Sequence, residues 1–138
     1  MKKLHLGYPD TGEEAEMLGR VVGDHPIEDL APVATLGDLQ AARTAVGEIT
    51  VEESIRDYVT RLAESTREQA QLGVSPRGSI ALLRAAQARA ALAGRSYVIP
   101  DDVQTEARAI MPHRVQTATA DRTGEEIVSE ALETVAVE

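Results

Sequence analysis

Apolar positions recur every three or four residues over most of the chain, and the breaks between these runs fall at glycines, prolines and small polar capping residues. Thr11 with Glu14 has the spacing of a capping box, which predicts a first helix over 12–22 through Ala15, Leu18 and Val22, closed by Gly23. Thr35 with Asp38 predicts a second over 36–46, and Thr50 with Glu53 a third, long one over 51–71 on Ile55, Val59, Leu62 and Ala63. Gly73 breaks it. Ser75 then caps a fourth helix, with Pro76 at its first position and a predicted span of 76–93. Ile80, Leu83, Gln87 and Ala90 give that helix its predicted inner stripe, widened by the small residues Ala86 and Ala93. Pro100, Asp101 and Asp102 open a fifth helix that runs to about Met111, although Ile99 holds the capping position and has no side chain that can cap, at a cost of about 1 kcal/mol. A sixth, over 124–137, uses Ile127, Val128, Ala131, Leu132 and Val135.

Three other stretches do not keep the helical period. Residues 3–8 alternate through Leu4, Leu6 and Tyr8 and stop at Pro9, which suits a short strand or an extended entry segment. Residues 24–34, with Pro26 and Pro32, read as a connecting loop, and 115–122 as extended. The expected fold is all-α: a small bundle of about five to six helices, 11–138, behind a short extended segment, 1–10. Composition supports this reading. The chain has 138 residues, enough for one domain with a core, but only three Tyr, no Phe and no Trp, so aliphatic residues and alanine must fill the interior.

Charge and cysteine usage narrow the function classes. The net charge of −9 argues against nonspecific binding to nucleic acid and against adhesion to anionic membranes. No cysteine is present, which removes disulfides and thiolate metal sites, and no run approaches the roughly 20 apolar residues that span a bilayer. A soluble, cytoplasmic protein is expected. Arginine supplies nearly all the positive charge, the only two lysines being Lys2 and Lys3, a bias that fits either a GC-rich coding sequence or adaptation to high salt. His5, His25 and His113 lack ligand spacing, so no metal site is expected.

Arg77 is the residue that local rules do not explain. A cation in a first helical turn faces the positive end of the helix dipole, at a cost of roughly 0.3–1 kcal/mol when exposed. Free N–H groups at a helix start attract anions, and a guanidinium beside them adds a planar fork suited to phosphate oxygens. A solvated or salt-bridged arginine is the plainer alternative. Gly78 is costly inside a helix unless something passes close to the backbone. Arg77, Arg84 and Arg95 are spaced seven and eleven apart and would line one edge of a helix prolonged to Arg95, a stripe that ordinarily faces solvent.

Taken in order, Leu6-Gly7-Tyr8-Pro9, Gly73-Val74-Ser75-Pro76-Arg77, Leu82-Leu83-Arg84-Ala85-Ala86-Gln87-Ala88, Gly94-Arg95-Ser96-Tyr97-Val98-Ile99-Pro100-Asp101-Asp102-Val103 and His113-Arg114 resemble the C-terminal lid of MoxR-type AAA+ ATPases over nearly the whole chain. The resemblance implies that Arg77 is a sensor-2 arginine reaching the phosphates of a nucleotide held by a preceding ATPase core, with Ser75, Pro76 and Gly78 supporting its helix start. It implies ATP and Mg²⁺ as cofactors of the parent protein, and none for the isolated chain. The implied partners are the chain's own AAA+ core, neighbouring subunits of a ring and proteins carrying von Willebrand A domains. Chaperone-like or metal-insertion remodelling is the implied activity. The chain departs from a complete ATPase: it has no Gly-x-x-x-x-Gly-Lys-Ser/Thr loop and no acidic strand end for Mg²⁺, so it is not expected to hydrolyse ATP alone, and Met1 is expected to fall where the core ends. Ile99 stands where similar sequences carry Thr or Ser. The alternatives are a stand-alone helical interaction module and the lid of a magnesium-chelatase-type subunit.

Overall fold

The computed structural model describes residues 2–22, 26–119 and 121–137. Among these residues six α-helices follow one another: α1 (Thr11–Val21), α2 (Leu36–Glu48), α3 (Glu53–Gln69), α4 (Pro76–Leu92), α5 (Pro100–Ile110) and α6 (Gly124–Thr134). The all-α expectation holds. The described residues contain no named strand, and residues 3–8 run outside regular structure, tied to the bundle where the Lys3 N–H donates to Ala109 O at 2.9 Å. The 24–34 stretch contains a short 3₁₀ helix, Pro26–Asp29, and the predicted stop at Gly23 lies outside the described residues.

Helix starts follow side-chain chemistry, with two corrections. α1 begins one residue earlier than expected because Asp10, not Thr11, is the cap: its carboxylate accepts from the N–H groups of Gly12 and Glu13, and Glu13 returns a bond to the Asp10 N–H. α3 begins at Glu53 because Thr50 is engaged elsewhere. The Thr50 N–H donates to Ser96 O at 2.8 Å and Thr50 O accepts from the Val98 N–H at 3.0 Å, a bridge that holds Thr50 extended. Thr35 with Asp38 and Thr123 with Glu126 form complete capping boxes at the starts of α2 and α6. α6 ends at Thr134, short of the predicted 137, and among the described residues of 115–122 the β-pairing is confined to the bridge of Gln116 with Leu72.

The core lies between α3, α4, α5 and α6. α3 contributes Ile55, Tyr58, Val59, Leu62, Ala63 and Thr66, a helical face of four turns, and α5 contributes Val103, Ala107 and Ile110. α4 buries Gly78, Leu82, Ala86, Gln87 and Ala90. Of the predicted stripe, Ala86, Gln87 and Ala90 are buried, whereas Ile80 is 63% exposed, Ala93 is exposed and Leu83 only half-buried, and Gly78 and Leu82 take their place. The small residues Gly78, Ala86 and Ala90 lie on one row of the helix with Leu82 and let α4 lie close against its neighbours. Buried Gln87 is satisfied, its amide donating to Ile49 O at 2.8 Å.

The α3–α4 junction is tied down by backbone contact. Thr66 Oγ1 accepts from the Val74 N–H at 3.0 Å and Arg67 Nε donates to Val74 O at 2.8 Å, so both polar groups of Val74 end on the last turns of α3. Gly73 allows this approach, because a Cβ there would stand 2.5 Å from the Arg67 N and Cα. Gly73→Ala is expected to lower the unfolding free energy by about 1–3 kcal/mol, measured by urea titration followed by circular dichroism. Gly47→Ala in α2, where an added Cβ meets nothing within 4 Å, should instead raise it by up to about 1 kcal/mol.

Candidate functional site

The start of α4 grows directly out of that junction. Ser75 is the cap, its Oγ accepting from the Gly78 N–H at 3.3 Å while its carbonyl takes the N–H groups of Gly78 and Ser79 at 2.7 and 3.1 Å. Pro76 has no N–H. Of the first three helical positions, Arg77 alone keeps an N–H without a hydrogen bond among the described residues. The Arg77 side chain is exposed, and no hydrogen bond or ion pair holds it among the described residues. The chain thus presents one guanidinium and one backbone donor at a point fixed by α3.

Gly78 has a local explanation. A Cβ at this position would stand 2.6 Å from Val74 Cγ1 and 3.1 Å from Arg114 Cδ, so the groups that pass close to the backbone are this chain's own. Arg114, in the 3₁₀ helix Pro112–Arg114, lays its stem against α4 and donates from Nη1 to Ile110 O at 2.7 Å. Arg67 and Arg114 line an open groove with Gln71, Leu72, Gly73, Val74, Ser75 and Pro76, immediately beside Arg77. Sequence spacing did not point to Arg67 or to this groove. The bridge that assembles it, Leu72 N–H to Gln116 O at 3.1 Å and Gln116 N–H to Leu72 O at 2.8 Å, joins segments 44 positions apart in sequence, 116 − 72, and no local pattern marks the pairing.

A planar guanidinium held at a helix start can donate two parallel hydrogen bonds to phosphate oxygens, as a lysine point charge cannot. The chain has no phosphate-binding loop, and no group of three or more His, Asp or Glu among the described residues is placed to hold an ion.

Arg84 lies two turns beyond Arg77 on the same exposed edge of α4, but Arg95 does not share it. α4 ends at Leu92, Gly94 takes φ +71°, and the chain turns so that Arg95 points to α5. Arg95 donates from Nη1 and Nη2 to the two oxygens of Asp102 at 2.7 and 2.6 Å, and the Ile99 N–H reaches the same carboxylate at 3.0 Å. Arg89 adds a longer contact, Nε to Oδ1 at 3.6 Å. Burial pushes the Asp102 carboxyl up, yet the Arg95 and Ile99 hydrogen bonds and the charges of Arg95 and Arg89 outweigh it and hold the group below its usual 3.8. The bonds onto Asp102 replace the cap that Ile99 lacks. Arg84 is exposed and bonds its own helix through Gln87 Oε1 at 3.2 Å.

The AAA lid domain family model matches residues 62–131. The chain is 45% identical to the uncharacterized protein YeaC of Bacillus subtilis over 115 residues, covering 82% of this chain and 36% of YeaC. It is 33% identical to the chaperone MoxR1 of Mycobacterium tuberculosis over 150 residues, covering 98% of this chain and 39% of MoxR1. Among solved structures it resembles a protein of Cytophaga hutchinsonii provisionally described as an ATPase, with a TM-score of 0.84 and 27% identity, over 100% of this chain and 46% of that one. The chain therefore spans less than half the length of each of these relatives.

Because the folded Asp102 pKa is depressed, its contribution to stability is complete above the unfolded value of about 4 and is lost as pH falls through the lower folded value. Asp102→Asn is expected to cost about 1.5–3 kcal/mol at neutral pH in urea unfolding. The difference from the unsubstituted protein should stay constant down to about pH 5 and shrink below about pH 4. A difference that grew on acidification would contradict the pairing.

Proposed function

The chain belongs to the AAA lid domain family, as a lid of the MoxR type, and from that membership we propose that it senses nucleotide through Arg77 and passes the signal on as a lever. The observation that carries the reading is an exposed guanidinium without a partner among the described residues, set on a helix start that α3 holds by both polar groups of Val74. An arginine kept only for solubility needs no such anchorage.

In this proposal Arg77 donates to the phosphates of ATP bound by an AAA+ core, where Mg²⁺ completes the neutralisation of charge. Ser75 and Pro76 set the helix start, and Gly78 lets Arg114 brace it from beneath. α4 packs on α2, α3 and α5, so displacement of Arg77 toward phosphate is carried to the whole bundle rather than absorbed in a loop. Neighbouring subunits of a ring would feel the movement, and the outcome would be chaperone-like remodelling of clients, with von Willebrand A domain proteins as further partners. A cytoplasmic location is part of the same proposal. No helix among the described residues is long and apolar enough to cross a membrane.

Arg77→Ala in the complete AAA+ ATPase is expected to slow ATP turnover by about 10- to 100-fold, the equivalent of one charge-assisted hydrogen bond of roughly 1.5–3 kcal/mol. Arg77→Lys should restore only part of it, since the bidentate fork is lost. Unchanged turnover in Arg77→Ala would remove the sensor role. The 138-residue chain alone should show no tight ATP binding by calorimetry, and submicromolar affinity would contradict a site that needs the core.

A further inference from the structure

Two acids one turn apart on α5, Asp102 and Glu106, are both buried, at 0% and 3% exposure, and their counter-charges come from very different places. Asp102 holds the fork of Arg95 and the Ile99 N–H, partners fixed by the turn that links α4 to α5. Glu106 has Lys2, from the segment ahead of α1 that runs outside regular structure. Lys2 Nζ stands 2.5 Å from Glu106 Oε2, yet Oε2 is buried and accepts no hydrogen bond among the described residues, so the ammonium approaches it out of alignment. A buried carboxylate without an aligned donor is costly to keep. Its cation is also the more exposed one: 43% of the Lys2 side chain is open to solvent, against 25% for Arg95.

Glu106 lines an open cavity of about 610 Å³ between α4 and α5. Ala85, Ala88, Leu92 and Ala93 make the α4 wall of this cavity apolar, and Leu92 is 91% exposed there. Apart from Lys2, the lining carries three carboxyl groups, Asp101, Asp102 and Glu106, against the two guanidinium groups of Arg89 and Arg95. Both arginines are directed at Asp102, and Asp101 is exposed to solvent, so the buried charge left to be compensated is that of Glu106. We propose that Glu106 and the alanine wall of α4 form a binding site for a lysine side chain of a partner polypeptide, and that Lys2 fills it as an exchangeable stand-in. The alkyl stem of such a lysine would lie along Ala85 and Ala88 while its ammonium reaches Glu106, and an apolar residue beside it would cover Leu92. A basic segment with an apolar neighbour also complements a chain of net charge −9. Arg77 does not line this cavity, so the site stands apart from the sensor reading.

The test is a nuclear magnetic resonance titration of the 138-residue chain with the blocked peptide acetyl-Ala-Lys-Leu-amide. Shifts are expected at the amides of Ala88, Leu92 and Glu106, and Lys2→Ala, which clears the site, should tighten binding by about tenfold. In that Lys2→Ala background Glu106→Gln should weaken binding by about tenfold or more, while its circular dichroism melting is no lower, because the buried charge is gone. Leu92→Ser changes an exposed position and gives a second reading that does not depend on the folding of Glu106→Gln; it should weaken binding by about threefold. The same peptide with norleucine in place of lysine keeps the alkyl stem without the charge and should not bind. Binding to Lys2→Ala no tighter than to the unsubstituted chain, equal binding of the norleucine peptide, or shifts gathered outside α4 and α5 would each overturn the site. Spermidine should bind more weakly than the peptide, and spermidine binding as tightly would overturn the polypeptide as occupant, since the ammonium alone would then suffice.

Discussion

Val74 sends its N–H to Thr66 Oγ1 and receives Arg67 Nε on its carbonyl, and this pair of bonds decides where α4 begins. Neither bond is strong alone, about 1 kcal/mol net for a neutral pair and somewhat more for one with a charged donor. Their effect is geometric. Gly73 brings the backbone into contact with Arg67, Thr66 is fully buried, and Val74 has no exposed surface, so the junction cannot slide. Ser75 and Pro76 follow at once and start the helix without a flexible residue in between. Arg77 is exposed, but the position from which it reaches out is set by the core.

The helical class was legible because alanine, leucine and arginine were grouped between capping residues at the right period. Thr35 with Asp38 three residues on, and Ser75 directly ahead of Pro76, are local signals that a sequence displays directly. The misreadings have the opposite origin. Thr50 resembles a cap, yet the segment ending in Val98, almost fifty residues on, takes its backbone into a bridge. Ile80 falls on a plausible stripe, but the packing of α4 is governed by what can come close, and that favours the face of Gly78, Ala86 and Ala90. Hydrophobicity alone does not report closeness of approach.

The site was legible to a similar depth. Arg77 stood out because its charge opposes the helix dipole, a local conflict that a single sequence can show. A helix prolonged past Leu92 would set Arg95 on the same edge, whereas Gly94 turns the chain and commits Arg95 to the buried Asp102. That pairing also explains how α5 begins without a capping side chain at Ile99. Arg67 gives no sequence signal, and His113-Arg114 enters only as part of the family resemblance; the groove that holds both beside the start of α4 depends on the bridge of Leu72 with Gln116. Three arginines therefore surround this end of the helix, two of them fixed to the protein's own carbonyls and one left to reach outward.

The central claim is that Arg77 completes a phosphate site whose other half lies in an AAA+ core. It is tested most directly by a crystal structure of the complete ATPase assembly with a non-hydrolysable ATP analogue and Mg²⁺. The account predicts the Arg77 guanidinium within about 3 Å of a phosphate oxygen, with the Val74 bonds to Thr66 and Arg67 unchanged from those in the free lid. An Arg77 side chain left in solvent or paired with a protein carboxylate, while another cation contacts the phosphates, would contradict it.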